Sequence, residues 1–299
     1  MDSEQRQAFL AARRRGIGAS DVAAVCGLSK FRTPLHVYLD KLGLLPDDDT
    51  PSKRWGRLLE EVVAQAYAEE TGREVRPVEG LVVRHPTLDW VAASPDRDVV
   101  DHPLYLECKT ARTPEGWGEP GTDEVPNDYH LQCQWQILAA EGRGIEGVDV
   151  AVLIGGSDFR RYHVPRCPEI QHRLLEIAGE LWDRIQRRDP PPADWNHPDT
   201  NRLVRLLSRP REEVRADLGS FALADVWRYQ ELGHTISEAE KEREQVKTRL
   251  ILALGQAGAA DLPGGMELVR RVTEIPEAVV TRKAHLRDEI RIRKKKERP

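Results

Sequence analysis

The sequence predicts an α+β protein with mixed α/β packing, and three changes of pattern along the chain predict it. Apolar positions fall at helical spacing through the first 72 residues. They alternate between short turn signals over 74–110, and from 127 to 188 the pattern returns to helix, strand, strand, helix.

Taken in order, residues 18–28 predict a short helix, with Ser20 as its N-cap and Gly27 near its stop. Thr33-Pro34 opens a second helix running to about Leu44, with proline at its first position. A third helix is expected over 52–70, closed by Gly72; Leu58, Leu59, Val62, Val63, Ala66 and Tyr67 form its apolar stripe. Strands follow near 74–84, 89–93, 97–101 and 104–110. Residues 111–126, rich in Gly and Pro, predict a mobile loop. A helix over 127–141 precedes a hairpin of strands 148–154 and 159–164 across Gly155-Gly156-Ser157, and an amphipathic helix runs from Pro168 to about Arg188.

Pro190-Pro191-Pro192 marks a domain edge, dividing 1–189 from a mostly helical 190–299. There a long charged helix is expected over 221–256, a packing arm or coiled-coil-like appendage with Leu232, Ile236, Val246, Leu250 and Leu254 at roughly helical spacing. Pro263-Gly264-Gly265 makes a turn, and a small strand follows over 266–273.

Composition narrows the function classes. At 299 residues, 32% of them charged and 39% hydrophobic, the chain suits one large domain, or one plus an appendage, with long exposed helices. No apolar stretch approaches a membrane span, and Met1-Asp2-Ser3-Glu4-Gln5 does not open a signal peptide, so the expected location is the cytoplasm. Cys26, Cys108, Cys133 and Cys167 are scattered without a Cys-X-X-Cys pair, which argues against a zinc or iron–sulfur site. The net charge of −5 does not by itself favour nucleic acid. Yet residues 281–299 hold nine Lys or Arg against three acids, and Arg13-Arg14-Arg15 stands near the start.

The chemistry concentrates at Asp96 and, eleven residues on, Glu107-Cys108-Lys109. Alternation along a strand points Leu104, Leu106 and Cys108 one way and Tyr105, Glu107 and Lys109 the other. Two carboxylates and a lysine at a strand end can bind a hard divalent cation and activate a water. Alone, Glu-X-Lys is ordinarily a surface ion pair worth little, and Asp after Ser-Pro a turn residue.

Five motifs in order give the pair more meaning: Phe9-Leu10-Ala11-Ala12-Arg13 with Gly16-Ile17-Gly18-Ala19-Ser20-Asp21; Trp55-Gly56-Arg57-Leu58-Leu59-Glu60 with Thr71-Gly72; Ser94-Pro95-Asp96; Glu107-Cys108-Lys109; and Tyr129-His130-Leu131-Gln132-Cys133-Gln134. On these the chain resembles the YqaJ-type viral recombinases, relatives of the phage lambda exonuclease, over roughly residues 8–187. The resemblance implies a PD-(D/E)XK core, a central mixed sheet flanked by helices, and a Mg²⁺-dependent deoxyribonuclease, with Mn²⁺ as the alternative ion. It implies Asp96, Glu107 and the backbone carbonyl of Cys108 as metal ligands. Lys109 would hold or deprotonate the attacking water or stabilise charge at phosphorus. Glu60 would complete the acidic cluster, and Tyr129 and Gln132 would orient lysine, water or phosphate, with Gln136 extending their stripe.

The resemblance also assigns Arg13 and Ser20 to a 5′-terminal phosphate, with Arg14 and Arg15 as rivals for the Arg13 role. It further implies 5′-to-3′ degradation of double-stranded DNA ends for recombination, a single-strand annealing protein as partner, and homo-oligomeric rings. The alternatives are an endonuclease on the same fold and a catalytically silent DNA-binding or assembly factor. The chain departs from the family at Arg97, commonly Gly, and at Glu61, usually Pro. Asp98 is a rival ligand.

Overall fold

The computed structural model describes residues 3–46, 50–80, 82–208 and 215–273. The chain divides into two compact units, Met1–Pro210 and Arg211–Pro299.

The first unit opens with α1 (Ser3–Arg14), which the sequence did not announce, and a two-residue strand β1 (Ile17–Gly18). The predicted helix over 18–28 is reduced to a 3-10 turn, Ala19–Asp21, and one α-turn, α2 (Val22–Val25). Ser20 is not its N-cap. The Asp21 carboxylate accepts the Gly18 N–H at 3.1 Å and closes this turn, so the Ser20 hydroxyl faces outward. Gly16 is required where it stands, because a Cβ there would sit 2.3 Å from the Trp90 carbonyl oxygen.

Next come α3 (Pro34–Lys41), with Pro34 in its first turn, and α4 (Pro51–Thr71). Thr50 caps α4 by accepting the Lys53 N–H at 3.3 Å, and Gly72, at φ 68°, ends it in the left-handed region. The expected strand over 74–84 is two fragments, β2 (Val75–Arg76) and β3 (Val83–Arg84). β4 (Val91–Ala93), β5 (Arg97–Val99) and β6 (Leu104–Ala111) follow, then α5 (Asn127–Ala139), β7 (Gly147–Ile154), β8 (Asp158–Pro165), α6 (Pro168–Arg187) and α7 (Thr200–Leu207).

The main sheet is mixed, in the order β2-β5-β6-β7-β8, with β6 and β7 parallel and the other pairs antiparallel. α5 makes the crossover that a parallel pair needs. β7 is buried along nearly its whole length, as a strand covered on both faces must be. On one face Val63, Ala64 and Tyr67 of α4 pack on Val99, Leu104, Leu106 and Ala151. On the other, Cys133 and Ile137 of α5 pack on Tyr105, Val148, Val150 and Val152. The alternation read along β6 holds: its two sets of side chains meet two different helices.

Two more expectations fail in this unit. Residues 111–126 are pinned, not loose. Trp117 and Val125 are buried beside Tyr129 and Tyr162, the Tyr162 hydroxyl donates to the Gly118 carbonyl at 2.9 Å, and Gly121 donates to the Arg161 carbonyl at 2.7 Å. The unit also runs past the proline edge at 189. Leu203 of α7 is fully buried in the core with Leu35, Leu39 and Leu181, an apolar contact that the Pro run gives no hint of.

The second unit consists of α8 (Phe221–Leu254) and a hairpin of β9 (Ala259–Leu262) and β10 (Met266–Val269). β10 is the predicted small strand, shortened; β9 is new. The basic block over 281–299 lies outside the described residues. Among the described residues no helix is long and apolar enough to cross a membrane.

Candidate active site

β5 begins at Arg97, opposite Leu106, whereas β6 continues to Ala111. On that side of β6 the ladder therefore stops. The next partner is a side chain: the Asp96 carboxylate accepts the Cys108 N–H at 2.7 Å. In an extended strand the N–H and C=O of one residue point the same way. The Cys108 carbonyl thus faces the same open edge as the Asp96 carboxylate, and the Cys108 side chain packs on the α4 side.

Glu107 points to the opposite face and is almost fully buried. Its Oε1 accepts from Lys109 Nζ at 2.5 Å and from Gln132 Nε2 at 2.5 Å, and its Oε2 accepts from Gln136 Nε2 at 2.5 Å. Lys109 Nζ also donates to Gln132 Oε1 at 3.2 Å and lies 4.7 Å from the centre of the Tyr129 ring. Gln136 joins because helical spacing of three and four puts Tyr129, Gln132 and Gln136 on one face of α5. The Gln136 Oε1 atom is buried without a hydrogen-bond partner. Trp135, on another face of α5, donates to the carbonyls of Ile17 and Ala92, both at 3.1 Å. One helix is thereby held both to the main sheet and to a smaller one of order β1-β4-β3.

Loss of water pushes the Asp96 carboxyl well above the usual range, and the charges of Glu107 and Glu60 push it further than Lys109 and the Cys108 N–H can offset. Burial alone would lower Lys109, but Glu107 and Asp96 more than reverse that and hold its ammonium above the ordinary lysine value. In this arrangement its ammonium is a hydrogen-bond donor to Glu107 and Gln132. Burial and the neighbouring carboxylates raise the Cys108 thiol, which fits a packing role for that side chain.

Glu60 is paired with Arg97, whose Nη1 also donates to the Asp96 carbonyl at 2.6 Å. Its Oε1 accepts from Arg97 Nη1 at 2.7 Å, and Glu61 Oε2 accepts from Arg97 Nη2 at 2.7 Å. Glu60 is about one-third exposed and Glu61 mostly exposed, so Glu60 is the inner of the two. Asp98, the rival ligand, instead faces Arg76 at 3.6 Å. Among the described residues no three His, Cys, Asp or Glu side chains converge as a metal cage. The oxygens that could hold a cation are those of Asp96 and the Cys108 carbonyl at the strand edge, with the Glu107 carboxylate close enough to act on Asp96. An all-oxygen set with two carboxylates has the chemistry of a Mg²⁺ or Mn²⁺ site, and the crowding of negative charge on Asp96 is what such a cation relieves.

Arg13 and Ser20 are brought together, with Arg13 Nη2 donating to Ser20 Oγ at 2.6 Å. Arg15 instead faces Asp89 at 3.7 Å, and Arg14 lies near Gly43. Behind the Arg13–Ser20 pair lies a group that the motif reading passed over. Asp21, fully buried, bonds Lys41 at 2.6 Å and Arg32 at 2.8 Å, and Lys41 Nζ also donates to the Arg13 carbonyl at 3.1 Å. Arg84 donates to the neighbouring Ala12 carbonyl at 2.6 Å. Two cations thus cap the C-terminal end of α1, the turn that carries Arg13. A carboxylate in the midst of the apolar run Ile17 to Val25 was the available signal for Asp21.

An Asp ahead of β5 and a Glu-X-Lys on β6, set between α4 and α5, form the layout of a PD-(D/E)XK core. Residues 8–143 match the YqaJ-like viral recombinase domain. The chain is 28% identical over 250 residues to the uncharacterized protein YqaJ of Bacillus subtilis (strain 168), covering 82% of this chain and 77% of that one. That share is longer than the first unit, so the similarity reaches into the second. Among solved structures, an alkaline exonuclease from Laribacter hongkongensis overlaps with TM-score 0.46 and 22% identity, over 61% of this chain and 95% of that one. A phage related exonuclease from Haemophilus somnus 129PT overlaps with TM-score 0.45 and 12% identity, over 58% and 94%.

Proposed function

We propose that the chain is a metal-dependent deoxyribonuclease, an exonuclease that degrades linear duplex DNA from 5′ to 3′ and leaves a single strand for phage-type recombination. One observation carries the reading: a buried Glu107, gripped by Lys109, Gln132 and Gln136, stands on the strand whose open edge presents Asp96. Groups that serve only as a surface ion pair have no need of such support.

Asp96, Glu107 and the Cys108 carbonyl would hold the divalent cation. Bound there, it supplies positive charge at phosphorus and makes a water more acidic. Lys109 orients that water and donates to a non-bridging phosphate oxygen; two of its three N–H donors are engaged by Glu107 and Gln132. Gln132 and Gln136 fix the Glu107 carboxylate, and Tyr129 supports the lysine from beneath. Arg13 and Ser20 offer a guanidinium and a hydroxyl to a terminal phosphate, which directs the enzyme to ends. The resulting single strand is the substrate of an annealing protein.

The test uses linear duplexes labelled at either end, with and without a 5′-phosphate, beside a covalently closed circle. Release of the 5′ label first, faster from phosphorylated ends and with the circle intact, is the expected outcome. Cutting of the circle turns the reading to an endonuclease, and loss of the 3′ label first refutes the polarity. If no nucleotide is released and Glu107→Ala changes nothing, a silent DNA-binding factor is left.

A further inference from the structure

The strand edge at Asp96 is approached by a fixed cation from each side of the main sheet. Lys109 comes from the α5 side, where it bonds Glu107 and Gln132. Arg97 comes from the α4 side. It pairs in register with Leu106, and residues paired across two strands share a face. Leu106 packs on α4, so the Arg97 side chain is delivered there too.

On that side the Arg97 side chain is only 12% exposed, and both of its terminal nitrogens are engaged. Nη1 donates to Glu60 Oε1 at 2.7 Å and to the Asp96 carbonyl at 2.6 Å, and Nη2 donates to Glu61 Oε2 at 2.7 Å. Nucleases that use two metal ions hold them about 3.5–4 Å apart. A second ion that far from one on the Asp96 carboxylate, on the α4 side, would draw on these same oxygens. They already accept from a guanidinium, whose like charge opposes another divalent cation at such range. Arginine does not make way by losing its proton.

The charges close with a single ion. Asp96, Glu107, Glu60 and Glu61 bring four negative charges when all are ionised, and Lys109 and Arg97 bring two positive ones. The two left over are what one divalent cation cancels.

We propose that the Arg97 guanidinium stands where a second metal ion would otherwise sit, so that the chain holds one exchangeable divalent cation. The inference rests on the nuclease reading above and adds to it the number of ions and the residue that sets it. Arg97 acts through the carboxylates it pairs, as a positioning residue, because both of its terminal nitrogens are already bonded within the chain.

The experiment counts Mn²⁺ bound to the full chain without DNA, by equilibrium dialysis, and records the electron paramagnetic resonance of the bound ion. Circular dichroism checks that each variant is folded. The unsubstituted chain is expected to hold one Mn²⁺ with the spectrum of an isolated ion. Arg97→Gly and the more conservative Arg97→Gln should each admit a second ion, with spin coupling between ions about 4 Å apart. Arg97→Gly with Glu60→Gln should return the count to one. Two coupled ions in the unsubstituted chain overturn the proposal and leave the metal-dependent nuclease standing. A count that stays at one in both Arg97 variants also overturns it. No bound Mn²⁺ in any of these proteins overturns the proposal and the metal-dependent reading together.

Discussion

Asp96 Oδ2 accepts the backbone N–H of Cys108 at 2.7 Å, so a side chain completes the hydrogen bonding that β5 leaves unfinished. That one contact gives Asp96 both a structural and a chemical duty, and they can be separated. Asp96→Asn keeps an acceptor for Cys108 and removes the charge that Glu107 and Glu60 oppose. The sign follows from the direction of the shift. A carboxyl whose folded pKa is raised contributes stability in its protonated form at low pH and loses it as pH rises from its unfolded value through the folded one. At neutral pH without divalent cations, Asp96→Asn should therefore melt higher than the unsubstituted chain. Mg²⁺ or Mn²⁺ should raise the melting temperature of the unsubstituted chain and leave the variant unmoved. Nuclease turnover in the variant should fall about a thousandfold, several kcal/mol of lost charge stabilisation. A variant that still gains stability from the ion would exclude Asp96 as a ligand.

Arg97 is the departure with a measurable consequence. It is largely buried and binds Glu60 and Glu61 with separate nitrogens, and the nitrogen on Glu60 also donates to the Asp96 carbonyl at 2.6 Å, so Arg97 offsets the Glu60 charge beside Asp96. Arg97→Gly releases Glu60 next to Asp96, and the added negative charge should tighten Mn²⁺ binding by roughly fivefold or more. Glu60→Gln in the same background should cancel the gain. Calorimetric titration with Mn²⁺ reads both. Equal affinities in all three proteins would show that Glu60 has no part in the site.

Asp21 makes a prediction about acid. Burial pushes its carboxyl upward, but Lys41, Arg32 and Arg13 outweigh that and hold it far below the usual carboxylate range. A depressed folded pKa means stabilisation that is complete above about pH 4 to 5 and drains away as pH falls from there toward the folded value. Asp21→Asn should flatten the acid limb of a stability curve. At neutral pH it should cost about 3–5 kcal/mol, because Lys41, with its side chain 1% exposed, is left without a counter-charge. Urea unfolding between pH 2 and 7 checks both; an unchanged acid limb in the variant would remove Asp21 from the account.

Much of this fold and site is legible in the sequence, and what is not has a physical pattern. Leu104 to Lys109 alternate because a strand has period two, and Tyr129, Gln132 and Gln136 align because a helix nearly repeats at three and four. Both rules are local, and both placed their residues correctly. The misreadings lay where distant partners decide. Ser20 looked like an N-cap until Asp21 took that work with Gly18. Residues 111–126 read as loose because Gly and Pro are scored by their neighbours, whereas Trp117 is anchored by Tyr129 and Tyr162 from elsewhere in the chain. α7 was missed because its burial depends on Leu203 reaching a core built by α3 and α6.

The Arg13–Ser20 pair gives a graded prediction. A charge-assisted hydrogen bond is worth about 1.5–3 kcal/mol and a neutral one about 1 kcal/mol. If the pair receives a terminal phosphate, Arg13→Gln should reduce the preference for 5′-phosphorylated over 5′-hydroxyl ends by roughly ten- to a hundredfold, and Ser20→Ala by only about fivefold. The loss should appear in KM for phosphorylated ends, with kcat on hydroxyl ends unmoved, because neither side chain bonds Glu107, Asp96 or Lys109. Lys41 fixes the turn that carries Arg13 through its carbonyl. Lys41→Met should therefore erode the same preference while leaving kcat on hydroxyl ends alone, at a cost in stability that Arg13→Gln does not share. An equal fall in activity on both kinds of end, in any of the three variants, would show that the pair supports the fold and does not read the end.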